Sequence, residues 1–113
     1  MPKTYTAGDV VIGKFPYSDK EDYKVRNFVV VAQFNDFVWG LMMSSVESIG
    51  QDDGSLYILN KIDLDFEPLK PTAIRMSIIQ TISTNNIQKK LGRLNQDCLE
   101  RVMEFVNGIL NKP

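Results

Sequence analysis

The sequence predicts a mainly β protein finished by a C-terminal helix, built as a small barrel or a sandwich. Three observations carry that expectation. Apolar residues in about the first eighty positions come in short β-branched runs. Turn-forming residues separate those runs at regular intervals. The last thirty or so positions instead repeat apolar side chains at three-and-four spacing.

The runs give candidate strands over Asp9–Phe15, Arg26–Phe34, Phe37–Ser45, Leu56–Ile62 and Thr72–Ser83. Val29, Val30 and Val31 are consecutive and β-branched, which suits a strand buried on both faces. The breakers are Pro16 with the polar stretch Ser18–Lys24, the pair Asn35-Asp36, Asp52-Asp53-Gly54, and Pro68 with Pro71. Asn35-Asp36 is short enough for a tight hairpin. Thr84 is read as the cap of a short helix that passes through Ile87 and Leu91 and stops at Gly92. Asn95 caps a longer helix, with Leu94 as its hydrophobic staple. Along it Leu99, Val102, Met103, Val106, Ile109 and Leu110 form one apolar face, expected to pack on the open side of the sheet.

At 113 residues the chain is expected to form one domain, residues 1–113, since two would each need a core of their own. Its 43% hydrophobic and 24% charged residues are those of a globular protein. The single cysteine, Cys98, cannot pair within the chain, and its place in the helical pattern suits a buried thiol in a reducing compartment. The N-terminus lacks the apolar stretch of a secretory signal and no later run could span a bilayer, so the expected location is cytoplasmic, with no membrane partner. A net charge of −1 argues against a surface coated in positive charge for non-specific nucleic-acid binding, while leaving room for a local basic cleft.

Histidine is absent. That excludes paired-imidazole ribonucleases, Ser/His/Asp and Cys/His hydrolases, and zinc sites built from His and Cys. Any chemistry must rest on arginine, hydroxyls, carboxylates or backbone.

Four ordered segments resemble the PemK/MazF toxins of type II toxin–antitoxin systems. Gly8-Asp9-Val10-Val11 followed by Phe15-Pro16-Tyr17-Ser18-Asp19 is similar to that family's opening strand and first loop. Lys24-Val25-Arg26-Asn27-Phe28-Val29-Val30-Val31 is similar to its arginine-bearing strand, and Met42-Met43-Ser44-Ser45 to its apolar-Thr-Ser strand end. Leu69-Lys70-Pro71-Thr72-Ala73-Ile74-Arg75, Thr81-Ile82, Ile87 and Lys90-Leu91-Gly92-Arg93-Leu94 are similar to its closing strand and helix. The resemblance implies an SH3-like barrel of the PemK/MazF/CcdB type with a C-terminal helix. It also implies a homodimer, sequence-specific endoribonuclease action on single-stranded RNA without cofactor or metal, and inhibition by a cognate antitoxin.

Carried over by position, Arg26, Ser44 and Arg75 fall where relatives have catalytic residues. Tyr17, Lys20, Lys24, Ser45 and Ser77 become candidate RNA contacts. The chemistry is coherent: a ribose 2′-hydroxyl can attack the adjacent phosphorus, and a guanidinium can donate two parallel hydrogen bonds to phosphate oxygens as charge accumulates. A serine without histidine is suited to hydrogen bonding rather than to nucleophilic attack. Asn27 stands where proline is usual in the family, Ser44 where threonine is usual, Ser77 where many relatives have aspartate, and Gln80 where many have a basic residue.

Set against these roles, either arginine at a strand end can simply form a surface ion pair, for Arg26 with Glu21 or Asp22. Asp63, Asp65 and Glu67 alternate and on a strand would share a face, either attracting a cation or, more simply, facing solvent. The alternatives at the level of function are a CcdB-like toxin that acts on gyrase by protein contact, and a catalytically silent interaction domain.

Overall fold

The computed structural model describes residues 4–16, 23–45, 56–59, 63–66 and 72–110. Six strands and one helix follow in the order β1 (Asp9–Pro16), β2 (Tyr23–Phe34), β3 (Phe37–Ser45), β4 (Leu56–Ile58), β5 (Thr72–Ser83), β6 (Ile87–Arg93) and α1 (Gln96–Leu110). All pairings are antiparallel and the spatial order is β4-β5-β3-β2-β1-β6. Among the described residues no helix is long and apolar enough to cross a membrane.

That order forces the sheet to curl. β5 and β6 are joined by the three residues Thr84–Asn86, yet β3, β2 and β1 lie between them. In a flat sheet four strand spacings would separate them by about 19 Å. Four peptide steps reach only about 14 Å. The sheet therefore bends back on itself into a barrel-like shape, open among the described residues between its edge strands β4 and β6.

Curling gives the sheet two distinct faces. On the inner face Val11, Phe28, Val30, Val38, Ile82 and Ile87 form one buried cluster. On the outer face Val10, Val29, Val31, Leu41, Met43, Ile74 and Met76 meet Cys98, Val102 and Val106 of α1. The three consecutive valines of β2 alternate between the two cores and are buried on both sides, as their run predicts. Of the expected apolar face of α1, Leu99, Val102, Met103 and Val106 pack on the sheet with Cys98 added, while the side chains of Ile109 and Leu110 lie outside those described.

Local signals explain most boundaries. β3 and β5 match the expected ranges, and β1 and β2 extend beyond theirs by one and three residues. Phe34 pairs with Phe37 across Asn35-Asp36, and Asn35 takes the left-handed conformation (φ 53°) that such a tight turn requires. Asn95 Oδ1 accepts from the Cys98 amide at 2.7 Å, the expected cap of α1.

Two expectations are corrected. The segment read as a helix through Ile87 and Leu91 is strand β6, preceded by a short 3₁₀ turn at Thr84–Asn86 whose capping oxygen comes from Ser83. Its ladder with β1, interrupted by two register shifts, outweighs a local apolar spacing of three and four. The acidic alternation is not on a strand: β4 ends at Ile58, Asp63 is buried, and Asp65 is exposed. Glu67 lies outside the described residues.

Buried among α1 and β4, Cys98 has its thiol pKa pushed up to about 11, chiefly by desolvation and then by the Asp63 carboxylate. A hydrogen bond with Tyr57 and the charge of Arg101 oppose that shift. The unfolded chain thus loses this proton at lower pH than the folded one. Stability should fall between about pH 9 and pH 11, by up to about 3 kcal/mol. Urea unfolding at pH 8 and pH 10.5 should show this loss in the native sequence and not in Cys98→Val, and the folded thiol should resist alkylation.

Candidate functional site

The site begins where the sheet forks. The β2–β3 ladder ends at Phe28↔Met42, but β2 continues along β1 to Tyr23 and β3 continues along β5 to Ser45. On β2, side-chain alternation puts Arg26 on the inner face with Phe28 and Val30. On β3, the same alternation puts Ser44 there with Val38 and Met42. Arg26 and Ser44 each lie two residues past the last β2–β3 pair, one on each arm of the fork.

Arg75 arrives from the third strand. Between Met43↔Ile74 and Leu41↔Ile79, the single residue Met42 on β3 faces the four residues 75–78 on β5. Such a bulge bends its strand and re-aims its side chains. Ile74 and Met76 point into the helix-side core, so Arg75 points to the inner face. There Arg75 Nε donates to Ser44 Oγ at 3.1 Å. The two side chains are 31 residues apart in sequence and both partly buried.

Arg26, Ser44 and Arg75 therefore occupy one end and one face of three adjacent strands, with direct contact between the last two. Arg26 is half-buried opposite Gly13 of β1, which has no side chain to cover it. The donation from Nε leaves both terminal nitrogens of Arg75 for other acceptors. Chemically this is a hydroxyl and two guanidinium donors at the forked end of the sheet, suited to gripping a phosphodiester.

Ser77 lies in the β5 bulge beside Arg75, Ser45 ends β3 opposite Thr72, and Lys24 pairs with Phe15 at the start of β2. Those three positions are fixed by backbone, near the fork. Tyr17 and Lys20 lie outside the described residues, as do Glu21 and Asp22.

Comparison with known proteins sharpens this picture. The sequence profile of the PemK-like, MazF-like toxins of type II toxin–antitoxin systems matches residues 6–110. The chain belongs to this family. Among solved structures, a mycobacterial endoribonuclease in complex with its cognate antitoxin superposes with a TM-score of 0.69 at 11% identity, covering 97% of this chain and 98% of that one. A second mycobacterial endoribonuclease gives 0.68 at 11% identity, over 98% and 95% of the two chains. These likenesses establish the PemK/MazF fold. Comparison with curated proteins gives no match.

A second polar cluster belongs to the fold of this PemK-like toxin. Buried Asp9 accepts from the Thr6 amide at 2.9 Å, lies 3.3 Å from Lys90 Nζ, and pairs with Arg93 Nη1. Arg93 also donates to Thr6 Oγ1 at 2.8 Å and to the Ala7 carbonyl at 3.1 Å. Its amide donates to Asp65 Oδ1 at 2.7 Å. Gly8, at φ 96° with Leu99 close above it, takes a backbone conformation that side chains rarely allow. The family-like segments Gly8-Asp9 and Gly92-Arg93 thus form a clasp between the start of β1 and the end of β6. The Asp9–Arg93 pair spans 84 residues, so no local pattern announces it.

Proposed function

We propose that this family member is a sequence-specific endoribonuclease toxin that cuts single-stranded RNA by attack of the ribose 2′-oxygen on the adjacent phosphorus. The observation that carries the reading is the Arg75 Nε–Ser44 Oγ contact at the forked end of the sheet, with Arg26 on the neighbouring strand and the same face. The solved endoribonucleases of this fold support it.

In this mechanism the new bond is O2′–P and the bond broken is P–O5′. The 2′-hydroxyl proton passes to solvent water as O2′ attacks, and solvent protonates the departing O5′, so the products are a 2′,3′-cyclic phosphate and a 5′-hydroxyl. Arg75 and Arg26 hold the non-bridging oxygens, where negative charge grows during attack. Ser44 orients Arg75 by accepting from Nε, and its hydroxyl hydrogen remains available to a phosphate oxygen. Lys24, Ser45 and Ser77 near the fork, with Tyr17 and Lys20 of the first loop, bind the flanking nucleotides by charge and by base stacking. Neither a cofactor nor a metal is assigned a step. The contact between Ser44 and Arg75 favours this reading over a toxin acting by protein contact alone and over a silent domain.

The whole chain works as one domain, in the cytoplasm, where messenger RNA is available. Two copies extend the shallow mouth into a groove long enough for several nucleotides. A cognate antitoxin neutralises it, as one of the structurally similar proteins is found with its own.

The deciding experiment presents purified protein with a mixed-sequence single-stranded RNA and with the same RNA carrying a single 2′-deoxy substitution at the mapped cleavage position. Cutting is expected only where the 2′-hydroxyl is intact, leaving a cyclic phosphate end. Equal cutting of both substrates would show that the attacking group is not the ribose hydroxyl, and no cutting of either would remove the nuclease reading.

A further inference from the structure

We propose that Tyr57 and Arg101 are positioning residues for Arg75, linking the exposed side of α1 to the site through the short strand β4. The proposal rests on the nuclease reading for the importance of Arg75, and on observed geometry for the link itself.

At Arg75 the β3–β5 ladder is interrupted, since pairing skips from Ile74 to Ile79. Among the described residues the ladder partner that remains at this position is Leu56 of β4. The backbone that aims the guanidinium at Ser44 is therefore held from the β4 side. Among the described residues β4 is three residues long, lies at the sheet edge and is bonded to β5 alone in the strand order. So short an edge strand has few ladder bonds and depends on what its side chains grip.

Its central residue grips the helix. Tyr57 pairs with Ile74 and packs with it in the helix-side core. Its hydroxyl accepts from Arg101 Nη1 at 3.3 Å. Cys98, three residues earlier on α1, is buried in the same helix-side core against which Tyr57 packs. The Tyr57 hydrogen bond is also the main cause that raises the Arg101 pKa above its ordinary value. From Arg101 the connection runs to Tyr57, along β4 to Leu56, across the ladder to Arg75, and through the sheet to Ser44. α1 lies on one face of the sheet and Ser44 on the other, so the coupling passes through the backbone.

Arg101 is exposed, so replacing it need not disturb the core. The test uses the full chain with Tyr57→Phe, Arg101→Ala and Arg101→Lys. The Nε–Hε resonance of Arg75 is followed by NMR, and RNA cleavage and thermal midpoint are measured alongside. In Tyr57→Phe and Arg101→Ala that resonance should shift or broaden. Turnover should fall about three- to tenfold, the equivalent of one net hydrogen bond, at unchanged KM. Arg101→Ala should melt within about 5 °C of the native protein, and Arg101→Lys, which keeps a donor, should recover part of the rate. An Arg75 resonance unmoved in both variants would overturn the proposal. If the native protein cuts no RNA, the nuclease reading falls while the resonance still decides whether α1 and Arg75 are coupled.

Discussion

Arg75→Ala is expected to lower the rate of RNA cleavage by about a hundred- to a thousandfold, as removal of a preorganised donor to developing charge does. The loss should lie in turnover rather than in KM, because the guanidinium contributes most when the phosphate gains charge. Arg75→Lys keeps the positive charge but loses both the Nε donor to Ser44 and the planar fork, so it should recover only a small part of the rate. Ser44→Ala should cost less, about tenfold, since it removes one neutral partner and leaves the guanidinium present. Single-turnover kinetics on an RNA with a mapped cleavage position measures all three. Because Arg75 is half-buried at a bulge, the variants should unfold at nearly the native denaturant midpoint. Full activity in Arg75→Ala would remove this residue from the site.

Two of the three candidate residues in the site meet because of a feature that no local pattern announces. The β-branched runs and the Asn35-Asp36 turn placed β2 and β3 closely, since alternation and turn chemistry are encoded within a few residues. The Arg75–Ser44 contact instead depends on the mismatch in which Met42 faces residues 75–78. Nothing in the run Thr72–Ser83 marks where that bulge falls. Similarly, Ile87, Leu91 and Leu94 have helical spacing, but Gln88, Lys89 and Lys90 face solvent on an edge strand whose register slips twice against β1. A strand with broken alternation cannot be separated from one helical turn by periodicity. The cap at Asn95 was legible because its partner, the Cys98 amide, is three residues away.

The largest effect on stability is expected at the clasp between β1 and β6, and its origin is desolvated charge rather than packing alone. The Asp9 carboxylate is 4% exposed, whereas the Arg93 side chain is 37% exposed. Arg93→Ala would strand a buried anion, leaving, among the described residues, the Thr6 amide and hydroxyl and the solvent-facing Lys90 to compensate it. Removing one partner of a buried pair costs about 3 to 5 kcal/mol. The remaining Lys90 and the partial exposure of Arg93 place this case near about 3 kcal/mol. Asp9→Ala releases a cation that can turn to water, so its cost should be smaller, and the double variant Asp9→Ala with Arg93→Ala should be more stable than Arg93→Ala alone. Gly92→Ala offers an independent test of the same corner: a methyl group there would overlap the Asp65 carboxylate and the Phe66 ring, displacing the segment that receives the Arg93 amide. That change should cost about 1 to 3 kcal/mol, as overpacking does. Urea titrations of these variants at pH 7 provide the comparison. If Arg93→Ala proves no less stable than Asp9→Ala, the clasp is a surface ion pair in energetic terms and the buried carboxylate is satisfied by its turn alone.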